Sequence, residues 1–198
     1  IMEIMLIFIF KTTIMVFIKD EPEEDIMNFL VNKFIKTILL LVLAILFVSL
    51  EIGQYITGSL VNAVLFISAY SLGWPVGVLI GAAIPWVSSN IRILNPVFTD
   101  IVPFLMMSNG LLVLVFSLVR TFNAYIGIIA ASLVKFGMMF AITRFVLDLN
   151  AGMNPYPQLY EFISILIGGV VALFVISAIN SVEIVPRMGS AKSRITRI

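Results

Sequence analysis

Long apolar runs separated by short polar ones organise this chain, and within each run the apolar residues are continuous rather than alternating. Six runs stand out, at residues 34–50, 59–72, 76–87, 101–119, 124–147 and 160–179. A helix rises about 1.5 Å per residue, so about 20 apolar residues, with about 17–25 tolerated, cross the roughly 30 Å hydrocarbon layer of a bilayer. A transmembrane barrel would need strands that alternate with period two, a pattern these runs lack. The reading is all-α: an integral membrane bundle of six transmembrane helices. The breaks between runs carry turn chemistry. Glu51, Gly53 and Gln54 end the first run, and Gly73-Trp74-Pro75 makes a tight turn after the second. The third is short, contains Pro85 and is followed by Asn90, Arg92, Asn95, Pro96 and Asp100; residues 148–157 form a loop rich in Asn, Gly and Pro. Gly77, Gly81 and the pair Gly168-Gly169 permit close helix approach. Trp74 and Trp86 read as anchors at the membrane interface.

Composition agrees with lipid as the solvent. Of the 198 residues, 61% are hydrophobic and 12% charged, where a soluble domain sits nearer half and a quarter. So short a chain must still present a large surface, and water would not tolerate this one. There is no cysteine and no histidine. That removes disulfides, thiolate metal sites, the usual general base and the commonest metal ligand. Nor is there a phosphate-binding glycine loop, a His/Glu metal motif or a Gly-x-Ser-x-Gly elbow. No catalysis, metal or cofactor is expected.

Charge divides the chain unevenly. Residues 1–26 hold six acids against Lys11 and Lys19, a net of −4, while residues 27–198 net +5. The chain opens on isoleucine, and Met27 begins a stretch that looks like an ordinary start before a first span. Residues 1–26 are therefore expected to be a non-native or upstream extension, leaving 27–198 as the six-helix domain. A signal-anchor is disfavoured by Lys11 in mid-run, the acidic flank and the missing small-residue cleavage site. Lys and Arg in short loops set orientation. With both ends of 27–198 cytoplasmic, Lys33, Lys36, Arg120, Arg187, Lys192, Arg194 and Arg197 lie inside, and only Arg92 and Arg144 outside. The localisation expected is the cell membrane, multi-pass. The basic tail suits anionic lipid headgroups rather than nucleic acid. Glu51, Asp100, Asp148 and Glu161 gather on the outer side, over a pocket facing outward.

Lys135 is the residue most out of place. It lies near the middle of the fifth run, about 18 Å from its outer end, and a stem of about 6 Å cannot carry its ammonium to water. In lipid it would cost at least about 2.5–3.5 kcal/mol, so it must face the bundle interior. Asn109 sits at similar depth in the fourth run, and no carboxylate is expected there. Two roles fit: a polar clamp between helices, or a contact for an anionic group of a ligand. Met139 lies one turn from Lys135, and Asn62 one turn inside the second run. Tyr160, Glu161 and Ser164 open the sixth, with Gln54 and Tyr55 facing them. Arg92 and Arg144 are candidates for an anionic ligand group on the outer side.

Several short segments resemble one family. Gly58-Ser59-Leu60-Val61-Asn62-Ala63-Val64-Leu65 is similar to the Gly-Pro-Leu-Val-Asn-Ala-x-Leu opening of the second helix in substrate-binding S components of energy-coupling-factor transporters. Asn95-Pro96, Pro103 through Ser108-Asn109-Gly110, and Val134-Lys135-Phe136 fit the same order, and the likeness spans about residues 36–182. The resemblance implies a six-helix subunit that binds a vitamin, a vitamin precursor or another small-molecule substrate on the outer face. It also implies partners: a transmembrane coupling protein and two ABC-type ATPases. The family's Ala-x-x-x-Ala docking pattern on the first helix is met here by Ala44 and Val48, so its second alanine is missing. Position 59 is serine where the pattern prefers proline. Two other readings stand beside this one: a standalone secondary transporter, which would want an acid deep in the membrane, and an intramembrane enzyme or assembly factor, which the missing histidine disfavours.

Overall fold

The computed structural model describes residues 26–50, 52–93, 101–146 and 156–195. Six helices follow in order: α1 (Ile26–Ser49), α2 (Gln54–Ser71), α3 (Trp74–Asn90), α4 (Val102–Val119), α5 (Ala124–Ala141) and α6 (Tyr156–Ile195). One π turn, Ile142–Val146, continues α5. There is no strand among the described residues. Every apolar run is a helix, although the helices outrun the hydropathy. α1 starts earlier because Lys33 and Lys36 are good helix formers, and α3 continues through Pro85 to Asn90. α6 extends past its apolar stretch in both directions. Hydropathy marks where lipid can cover a helix, not where its hydrogen bonds stop. Residues 1–25, Glu51, Asn95-Pro96, Asp100 and most of the 148–157 loop lie outside the described residues, and so do the side chains of Gln54 and the basic tail.

Local chemistry sets the helix starts. Gly73, at φ 87°, supplies the left-handed backbone that turns α2 into α3, and proline occupies the first turn that follows, where a missing N–H costs nothing. Asn123 caps α5, its side-chain oxygen accepting from the backbone N–H groups of Tyr125 (2.8 Å) and Ile126 (3.2 Å). Such a cap contributes about 1 kcal/mol.

α2 is the axis of the bundle. Residues 62–69 are all buried, as expected of a helix that is apolar all round. α1, α3, α4, α5 and α6 are arranged about it in that order, and its most extensive packing is against α6. Glycine makes that approach possible. A Cβ on Gly168 would lie 2.5 Å from the Ser59 carbonyl oxygen and 2.9 Å from the Asn62 Cβ. On the other side of α2, a Cβ on Gly77 would meet Ala69 and Val113. Phe66 and Phe116 fill the core between α2 and α4, edge to face at 4.9 Å.

The exterior is apolar. Phe34, Leu79, Leu118 and Phe174 are each at least 65% exposed, and water-soluble surfaces do not carry large side chains in such numbers. α1, α4, α5 and α6 are each long and apolar enough to cross a bilayer. The chain is therefore a multi-pass α-helical membrane protein. Trp74 and Trp86 are exposed towards opposite ends of α3.

The packing corrects the expected docking role of Ala44. Ala44 is fully buried in the core against α2 and α3, and Val48 borders an internal cavity. α1 presents Ala44 to the core, so that residue is not available to a partner protein, while Val48 is half-buried.

The α2–α6 contact makes a direct prediction. Gly168→Ala forces a methyl group into backbone and lowers stability by about 1–3 kcal/mol. Gly137→Ala has nothing within 4 Å of the added carbon and is neutral, or gains up to about 1 kcal/mol from helix propensity. Thermal unfolding of the two variants in detergent checks the contrast.

Candidate binding site

Pro85 is where the site begins. Inside a helix, proline lacks the N–H that would bond the carbonyl four residues earlier, which here belongs to Gly81. That carbonyl is buried and needs a donor. Asn109 of α4 supplies it, its Nδ2 donating to Gly81 O at 3.0 Å. Gly81 allows the approach, since a Cβ there would stand 3.2 Å from the Asn109 Cβ. With the nitrogen of Asn109 committed to α3, its oxygen turns to α5 and accepts from Lys135 Nζ at 2.8 Å.

Lys135 is the hub. It is buried, and its ammonium also donates to Asn62 Oδ1 on α2 at 3.0 Å. The third direction faces Glu161 of α6, with Oε1 at 3.5 Å. An ammonium has three donors, and here each meets an acceptor on a different helix. The last contact is longer than the roughly 2.7–2.9 Å of a tight charge-assisted bond. The Glu161 side chain remains 27% exposed, so it is held by attraction but not locked. The expectation that Lys135 has no carboxylate at its depth is thus corrected. α6 begins at Tyr156, which puts Glu161 more than a turn inside the helix, and the lysine stem spans the rest.

These groups line a cavity of about 560 Å³, within the range of small-molecule sites. It lies at the end of the bundle where α1, α3 and α5 finish and α2, α4 and α6 begin, and all six elements border it. Val61, Ile84, Leu105 and Met139 give it apolar walls. Tyr55 and Tyr160 stand at the exposed rim, ring centroids 4.7 Å apart and edge to face. Ser88 and Ser164 border it from α3 and α6, and neither buried hydroxyl has a hydrogen-bond partner. The amide nitrogen of Asn62 has none either, since its one bond is made through oxygen.

Of the residues singled out in the sequence, Asn62, Asn109, Lys135, Met139, Tyr160, Glu161 and Ser164 all border the cavity. Arg92 and Arg144 do not. Arg92, at φ 56°, ends α3, its N–H bonding the Ser89 carbonyl at 3.1 Å, and its side chain is exposed. Arg144 lies exposed in the π turn beyond Met139. Charge on the outer side makes both candidates, but neither borders the cavity. Ser88, Pro85 and Gly81 were not anticipated as parts of the site. Pro85 with glycine four residues before it was the available signal, because it announces a carbonyl that another helix must satisfy. No group of side chains able to hold a metal occurs among the described residues. Compared with known protein families, with characterised proteins and with solved structures, the chain matches none.

Two mutational results follow. Asn109→Ala leaves the Gly81 carbonyl and one lysine donor unpaired and costs about 1–3 kcal/mol. In a Pro85→Ala background the restored N–H serves Gly81, so the same change costs less, with a coupling of about 1 kcal/mol in a double-mutant cycle of unfolding free energies. Lys135→Ala strands three acceptors and destabilises towards the lower end of the roughly 3–5 kcal/mol typical of a broken buried pair; the double replacement Lys135→Met with Glu161→Gln costs less than Lys135→Ala alone.

Proposed function

We propose that this chain is the substrate-capture subunit of an ATP-driven micronutrient importer, resembling the S components of energy-coupling-factor transporters. It spans the cell membrane six times with both ends of residues 27–198 inside, binds its cargo on the outer face and performs no catalysis. The observation that carries the reading is the cavity: a ligand-sized space at one end of the bundle, floored by Lys135, Asn62 and Asn109 and bordered by every helix. Asn62, Asn109 and Lys135 also fall within the segments that carry the resemblance. The opposite end holds Lys33 and Arg120, the side that the positive-inside bias makes cytoplasmic. α2 and α3, at 18 and 17 residues, fall at the short end of what spans a bilayer, and the burial of α2 relieves it of matching the lipid thickness.

A subunit of this kind has no motor. Its proposed partners are a transmembrane coupling protein and two ABC-type ATPases, and docking must use side chains other than the buried Ala44. Glu161 supports a second reading, a standalone secondary transporter, because an acid beside Lys135 inside the bundle is what ion coupling would require.

Affinity purification of the full chain from its native membrane separates the two. Retention of an ATPase pair, with uptake that needs ATP hydrolysis, is the expected outcome. Uptake by the chain alone in proteoliposomes, driven by an ion gradient and abolished by Glu161→Gln, would establish the secondary transporter instead.

A further inference from the structure

Charge in the cavity cancels. Lys135 and Glu161 are its charged lining residues among those described, and they face each other. A ligand with net charge would enter a space that already holds its own counter-ion, and would have to break that pair to find a partner. A net charge brought into an apolar enclosure without an opposite charge is disfavoured strongly. What the cavity lacks is hydrogen-bonding partners, not charge. The Asn62 amide nitrogen is an unpaired donor. The Glu161 carboxylate is loosely held and accepts no closer bond. Asn62, through its oxygen, and Glu161 contact the same lysine nitrogen, so both residues border the same part of the cavity. Ser88 and Ser164 add unpaired hydroxyls, each at least 96% buried, and a turn about one χ1 bond re-aims either of them.

We infer that the cavity takes a ligand of no net charge which presents a hydrogen-bond acceptor to Asn62 and a neighbouring donor to Glu161, an amide-like or hydroxy-carbonyl edge, with its apolar body against Val61, Ile84 and Leu105. This rests on the cavity being the cargo site of the proposed importer. It goes further by excluding the anionic cargo that a lone buried lysine would suggest. An unpaired buried polar group disfavours any occupant that cannot bond it, so the same groups that draw an amide edge reject a hydrocarbon of equal size.

Three probes that share one ring test it on the full chain in nanodiscs: indole-3-acetamide (neutral), indole-3-acetate (anionic) and tryptamine (cationic), each titrated while thermal unfolding is followed. The expected result is stabilisation by the amide, with an apparent affinity at least tenfold above either charged probe. Glu161→Gln frees the charge of Lys135 and should reverse the order, the acetate then binding best. Should that variant not fold, the ranking on the unaltered protein decides alone. A charged probe that binds the unaltered chain as well as the amide overturns the neutral class while leaving the cargo site intact. If none of the three stabilises the chain, the inference falls, while the importer reading is decided by the ATPase retention and uptake described above.

Discussion

An ammonium inside an oily bundle constrains whatever surrounds it. Lys135 is buried, and each of its three hydrogens has an acceptor within the protein. They find Asn62 on α2, Asn109 on α4 and Glu161 on α6. Through the amide nitrogen of Asn109 the same network reaches the Gly81 carbonyl on α3, which Pro85 deprives of its partner in the helix. One cation thus fixes the relative placement of five helices. Burial of such a group is costly unless each contact is made, and this makes the arrangement specific rather than merely cohesive: a shift of any one helix strands a polar atom.

Packing and cavity share a cause in α2. Its buried middle, residues 62–69, takes neighbours on several sides, and glycines at 77 and 168 bring α3 and α6 against it. Below the lysine the helices pack into a continuous apolar core centred on Phe66 and Phe116. Above it they leave about 560 Å³. The polar cluster lies at the boundary between the two zones. It is therefore both a clamp and a floor, and the two roles that a central lysine allowed from sequence are not exclusive.

The sequence made the helices legible because hydropathy in lipid is nearly one-dimensional: each apolar run became a helix, with ends moved by lysines, Pro85 and the length of α6. Lys135, Asn109 and Asn62 were legible for the same reason, as polar residues where polarity is expensive. Pairing was harder to read. Glu161 looked like a residue at a helix mouth, and only the start of α6 at Tyr156 brings it to the lysine. Ser88 carries no signal in a row of letters, since serines in apolar helices usually bond the preceding turn, as Ser68 and Ser132 do here. Arg92 and Arg144 stand out by their charge, and charge alone does not say where a helix end will point a side chain. Ala44 belongs to a pattern of spacing that says nothing of which face a helix turns outward, and in this chain that residue lies in the core.

On the proposed function, the cavity faces outward and the Arg120 end faces the cytoplasm. A chain without cysteine makes this sidedness directly measurable, through single thiols placed at Thr57 on the cavity wall and at Thr121 in the turn between α4 and α5. The account predicts that Thr57→Cys reacts with a membrane-impermeant maleimide in intact cells, and Thr121→Cys only after the membrane is opened. Labelling of both from outside, or the reverse order, would contradict it.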